Sequence, residues 1–192
     1  MGTARHRGRS SRHSGFTLIE LMVTVTVAAI LMGLAAPSFT RLMASNRITT
    51  QTNEFVGGLN LARSEAVRQA QGVSVRSDSG DLNFAAGWRV YRDPTSAGAA
   101  PAISTDVIRH ATASTGRTTL RRVTLSGTTY TDATTSLTDR MYVAFNARGG
   151  NNAGGSAYFR VCDSLNTALP GRIVQVAAVG RVSLVSSAAV CS

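Results

Sequence analysis

Lysine is absent: all 20 basic residues of the 192-residue chain are arginine. Genome composition accounts for that usage more readily than recognition does. Acid is scarce, with 10 Asp and Glu against the 20 arginines and a net charge of +10. The shortage is uneven. Residues 1–15 hold four arginines and no acid, residues 16–106 hold seven of each, and residues 107–192 hold nine arginines and three acids. Beyond the first 15 residues, the basic surplus lies wholly in the C-terminal half. Cysteine is reduced to Cys162 and Cys191, with no C-x-x-C pair, and two of the three histidines fall within the first 15 residues. A zinc site is therefore not expected, and His110 has no histidine partner in the rest of the chain. An exported domain carries two such cysteines as a disulfide; a reduced one carries them as two buried thiols. No nucleophile–base pair has a local signature. Gly149, Gly150, Gly154 and Gly155 precede no helical pattern and no Lys-Ser/Thr pair, which argues against a phosphate loop. An enzyme, a cofactor and a metal are all without support.

What the chain does contain begins with RHSGFTLIELMVTVTVAAILMGLAAP, residues 12–37. The run from Phe16 to Ala36 is about as long as the ~20 apolar residues that cross a bilayer. A secretory signal places a shorter apolar stretch before its cleavage site. Here a basic leader ends in Gly15, ahead of the apolar run. Glu20 interrupts that run, and an ionisable group inside a membrane is costly and usually functional.

The basic leader, Gly15 and Phe16-Thr17-Leu18-Ile19-Glu20 together resemble the type III signal of type IV pilins and pseudopilins. That resemblance implies cleavage by a prepilin peptidase between Gly15 and Phe16 and N-methylation of Phe16. It also implies a single pass through the inner membrane with a periplasmic C-terminal domain, followed by assembly with other pilins or pseudopilins in a filament. Glu20 would then meet the α-amine of a neighbour's Phe16 in a nearly dry filament centre. A misplaced subunit would leave both charges buried and unpaired, so the cost of burial sets axial register. Before assembly the carboxylate can snorkel to the interface. Pilins of this kind carry a proline where Pro37 stands, and a mid-helix proline is expected to bend or locally melt the helix.

Beyond Pro37, Phe39, Leu42 and Met43 share a helical face, and Phe55, Val56, Leu59, Ala62, Ala66, Val67 and Ala70 recur at three- and four-residue steps. After Gly72 the period becomes two. Strands are expected at Val73–Arg76, Trp88–Arg92, Val107–Arg109, Leu120–Leu125, Tyr142–Phe145, Tyr158–Cys162, Ile173–Val176 and Val182–Val185. Segments 94–105 and 147–156 read as mobile loops. Trp88, on an alternating strand, reads as core. The expected architecture is α+β: a leader (1–15), the transmembrane and assembly half of a long helix (16–36), its amphipathic half (37–71), and an antiparallel β domain (72–192).

Three stretches narrow the resemblance to the GspH/FimT branch of minor pilins: LNLARSEAVRQAQGVSV (59–75), Gly87-Trp88-Arg89-Val90-Tyr91 and Gly180-Arg181-Val182. The branch implies a structural or assembly-priming role in a type IV pilus, or else a pseudopilin of a type II secretion system. Some FimT proteins bind duplex DNA through a C-terminal Gly-Arg-x-Arg segment, without sequence specificity. Here the matching stretch is Gly180-Arg181-Val182-Ser183, which lacks the second arginine, so only Arg181 transfers. Arg172, on a neighbouring strand, is the expected substitute. Arg121, Arg122, Arg148 and Arg160 complete the candidate DNA-binding set; a solvated basic face that merely keeps the domain soluble is the competing expectation.

Overall fold

The computed structural model describes residues 15–94, 106–114, 117–133, 141–152, 154–189 and 191, without the side chains of 36, 37 and 186–189. The leader up to residue 14, and all but the first residue of the 94–105 loop, lie outside them. A single long helix, α1 (Leu18–Gln69), spans 52 residues. It continues through Pro37, so the local melting expected there does not occur. The chain divides into two compact units, Met1–Thr40 and Arg41–Ser192.

In the first unit the helix begins with a side-chain cap: Thr17 Oγ1 accepts the N–H of Glu20 at 3.3 Å, satisfying one of the donors left open at a helix start. Every large apolar residue from Phe16 to Phe39 is exposed, from 50% at Val27 to 81% at Phe16.

In the second unit, α1 buries Ala44, Ile48, Thr52, Phe55, Leu59, Ala62 and Ala66. These steps of three and four residues are the face that repeats on a 3.6-residue helix. The stripe begins earlier than the apolar pattern announces. It passes through the Thr-rich stretch because Thr52 bonds its hydroxyl to the Ile48 carbonyl at 2.6 Å and so carries no unmet polar group inward. Val67 and Ala70, expected on the stripe, are exposed. The helix ends at Ala70 (φ 52°), with Gln71 N–H bonded to Ala66 O and Ala70 N–H to Val67 O, a Schellman cap closed by alanine where glycine is usual.

Among the described residues nine strands follow: β1 (Val73–Ser77), β2 (Gly87–Arg92), β3 (Val107–Thr112), β4 (Thr118–Ser126), β5 (Thr129–Asp132), β6 (Tyr142–Phe145), β7 (Ala157–Asp163), β8 (Gly171–Val176) and β9 (Val182–Ala189). They form two antiparallel sheets, ordered β3-β2-β1-β6 and β5-β4-β7-β8-β9. All eight expected strands are present. The ninth, β5, escaped notice because its four residues bury nothing fully. It pairs back on β4 through the two-residue turn Gly127-Thr128, with Gly127 at φ 61°, the left-handed geometry such tight hairpins need.

The core gathers around Phe55, whose ring stands edge-on to Phe84, Trp88 and Phe159 at centroid distances of 5.5, 5.7 and 4.9 Å. Trp88 is buried here, not held ready for a ligand. It lies against Gly58, where any Cβ would collide with the indole. The helical cost of Gly58, about 1 kcal/mol relative to alanine, is thus the condition for seating the tryptophan. Cys162 and Cys191 form a buried disulfide with Cα atoms 5.9 Å apart. It closes a span of 29 residues, a constraint worth roughly 3.5 kcal/mol in chain entropy, and ties the segment after β9 to β7.

Candidate functional site

The first candidate surface is the start of α1. Gly15, Phe16 and Thr17 precede the helix, and all three are exposed. Glu20 lies in the first turn, also exposed, and forms no ion pair among the described residues. The 18-residue apolar window here is long enough to cross a membrane, and none of it is buried within the chain. An apolar face of that size stays exposed to water only at a large cost, and none of the described residues covers it.

The second candidate is the arginine set, and the structure divides it. Arg122 and Arg160 are each only 8% exposed. Arg122 donates to the Tyr142 carbonyl at 2.9 Å and lies over the Phe159 ring. Arg160 pairs with Asp132, which also receives Arg121 at 3.4 Å. Arg121 and Arg160 face each other across β4 and β7, and β5 brings Asp132 between them. Arg122 and Arg160 are held inside the β domain and leave the candidate surface; Arg121 stays exposed and shares the single charge of Asp132 with Arg160. Arg172 also fails as the substitute for the missing second arginine. Gly171 pairs with Ala189, whereas Ala177 N–H bonds to Arg181 O. The two arginines thus stand at opposite ends of the β8–β9 hairpin, about 17 Å apart along the strand.

Arg148 and Arg181 are brought together instead. The β8–β9 turn closes with Gly180 N–H on Ala177 O at 2.8 Å, Gly180 adopting φ 78°. Gly180 abuts Gly149 (φ 76°) so closely that a Cβ would collide with the Gly149 carbonyl oxygen. Arg148 precedes one glycine of this contact and Arg181 follows the other, and both are exposed. Arg63 of α1 reaches the same point, its Nε donating to Gly149 O at 3.2 Å. The 147–156 segment, expected to be a mobile loop, is pinned on this side. Asn146 Oδ1 accepts from Arg148 N and Gly150 N at 3.0 Å, and Asn151 N–H bonds to Ala178 O at 2.9 Å. Among the described residues none of Arg63, Arg148 and Arg181 is paired with a carboxylate. Sequence reasoning missed Arg63, because helical position alone does not reveal that a turn 86 residues away packs against it.

No group of His, Cys, Asp and Glu suited to a metal occurs among the described residues.

Comparison with known proteins follows the same lines. Residues 51–180 match the family described as type II transport protein GspH, and residues 10–36 match the prokaryotic N-terminal methylation motif. Two crystal forms of the Pseudomonas aeruginosa type IV minor pilin FimU share the fold. The P21 form superposes with a TM-score of 0.57 at 20% identity, over 77% of this chain and 97% of that one; the P65 form gives 0.54 at 21%, over 75% and 99%. The minor pseudopilin EpsH of the Vibrio cholerae type 2 secretion system aligns at 0.47 and 14% identity, over 71% and 94%. No curated protein matches the sequence.

Proposed function

The chain belongs to the GspH family, a family of structural pilins and pseudopilins and not of enzymes, and from that premise we propose that it is a minor pilin of a type IV pilus. On this reading a prepilin peptidase cuts between Gly15 and Phe16 and Phe16 is methylated. The apolar half of α1 holds the subunit in the inner membrane, with the β domain in the periplasm, until it joins other pilins in a filament. The single observation that carries the reading is the apolar stretch from Phe16 to Phe39, whose large apolar side chains are all exposed and which one acid, Glu20, interrupts. Neighbouring helices in a filament cover such a face, and a neighbour's Phe16 amine gives Glu20 its counter-charge. Glu20→Ala should insert in the membrane as well as the native chain, since the acid's insertion cost is gone, but should be depleted from sheared filaments. Equal recovery of both chains in the filament fraction would remove the register role. A type II secretion pseudopilin is the alternative, and the genes adjoining this one separate the two.

The Arg63–Arg148–Arg181 cluster favours a second role, sequence-independent contact with duplex DNA. Guanidinium groups match phosphate with a planar fork of donors. Three of them give a binding constant that falls with salt, with a log–log slope of about −2 to −3. In gel shifts of the domain from residue 41 onward, Arg148→Gln plus Arg181→Gln should weaken binding and flatten that slope by about 2. Arg172→Gln should change little. No shift of the unmodified domain at low salt would leave the assembly role alone.

A further inference from the structure

At one end of the second unit, apolar and basic side chains gather outside the core. β7 and α1 run in opposite directions. Phe159 packs on Phe55 at 4.9 Å, and four residues further along β7 Asp163 meets Arg47, eight residues back along α1. Four strand residues and eight helix residues each span about 12–13 Å, so the two elements stay in step. The turn that leaves β7 therefore comes level with α1 at about residues 41–45. That turn is held in place: Asp163 accepts the N–H groups of Leu165 and Asn166 at 3.1 and 3.0 Å, and Ser164 N–H bonds to Arg117 O at 2.8 Å. It leaves Leu165 69% exposed, level with exposed Leu42 and Met43 of the helix. Arg41 and Arg117, at the same end, are exposed and form no ion pair among the described residues. In segments 41–47, 117–118 and 163–170 the one acid is Asp163, buried and already paired with Arg47. This end thus presents three exposed apolar side chains and two unpaired guanidinium groups, with no carboxylate to spare.

We propose that this end of the β domain docks on an anionic phospholipid surface while the subunit is held in the membrane. Leu42, Met43 and Leu165 enter the headgroup region, and Arg41 and Arg117 pair with lipid phosphates. An interfacial contact needs this mixture, because apolar burial and attraction to anionic lipid add. Connectivity selects the same partner. Arg41 follows the membrane-length apolar run through Phe39 and Thr40, so a bilayer that holds the run lies within a few residues of the patch at any angle between the two units. Docking holds the unassembled β domain in one orientation. The inference rests on the reading that the apolar half of α1 sits in a membrane.

The test uses the full chain, disulfide intact, reconstituted in vesicles of phosphatidylcholine alone or of phosphatidylcholine with phosphatidylglycerol. An NBD fluorophore is attached after Thr167→Cys, in the turn that leaves β7, or, as control, after Thr128→Cys, in the β4–β5 turn at the far end of β4. In the anionic vesicles the emission at position 167 should move to the blue and be quenched by a lipid spin-labelled near its headgroup; position 128 should show neither. Arg41→Gln and Arg117→Gln should each lower the docked-to-free ratio about fivefold, and Leu165→Ser should lower it as well. Salt at about 0.5 M should undo the docking without any arginine substitution. Flotation of the vesicles reads anchoring separately. A chain that floats with them but gives the same emission at 167 and 128 would overturn the docking proposal and leave anchoring intact. So would shielding at 167 that is equal in neutral and anionic vesicles. So would shielding that disappears when the protein is diluted in lipid, the mark of a second copy as the occupant. A chain that does not float would overturn the membrane reading and the docking with it.

Discussion

Arg47 and Asp163 are 116 residues apart in sequence, yet Arg47 Nη2 and Nε reach one carboxylate oxygen at 2.8 and 3.3 Å. Asp163 is fully buried at the end of β7, where its other oxygen accepts the N–H groups of Leu165 and Asn166 at 3.1 and 3.0 Å. Burial pushes this carboxyl upward. The Arg47 guanidinium and the two backbone donors outweigh that effect and hold it below the usual carboxylate range. A carboxyl depressed on folding stabilises the protein above its unfolded pKa, about 3.9, and the stabilisation is lost as pH falls toward the folded value. Arg47→Ala should lower the stability of the domain by about 2–3 kcal/mol at pH 7, from the unmet buried charge. Asp163→Asn should flatten its decline between pH 5 and 3. Urea unfolding across that range checks both. None of this was legible in the sequence. Arg47 lies outside the apolar pattern and Asp163 looks like a strand-end turn residue, and only tertiary packing makes them partners. Arg122 and Arg160 teach the same lesson in reverse, since a count of arginines cannot separate those that face solvent from those that hold strands together.

Elements were easier to read than side-chain roles. Eight strands and the long helix follow from a change of period at Gly72, because burial on one face imposes that period directly. The missed strand, β5, has almost no buried face and so no pattern. The helix cap was equally hidden: Ala70 adopts the left-handed conformation at φ 52°, which costs an L-residue about 1–2 kcal/mol, and nothing local announces it. Ala70→Gly should therefore stabilise the domain, by about 0.5–1 kcal/mol once the greater freedom of glycine in the unfolded chain is deducted. Thermal unfolding should show a melting temperature raised by a few degrees. A decrease would mean that the Schellman geometry at Gln71 and Ala70 does not terminate α1 in solution.

At the scale of the whole molecule, two surfaces stand out among the described residues: the apolar start of α1, which none of them covers, and the arginine cluster around the Gly149–Gly180 contact, which none of their carboxylates pairs. The first was visible in the sequence because membrane-length hydrophobicity is a local property. The second was half visible, through Gly180-Arg181, and needed the fold to add Arg63 and Arg148 and to remove Arg172. The account stands on the first surface and on the proposal that the leader is removed and other subunits cover the helix. The direct measurement is the intact mass and N-terminal sequence of the chain recovered from purified surface filaments. The expected result is a protein that starts at Phe16 and carries one extra methyl group. A chain that keeps its leader, starts at another residue, or is missing from the filaments would contradict the account.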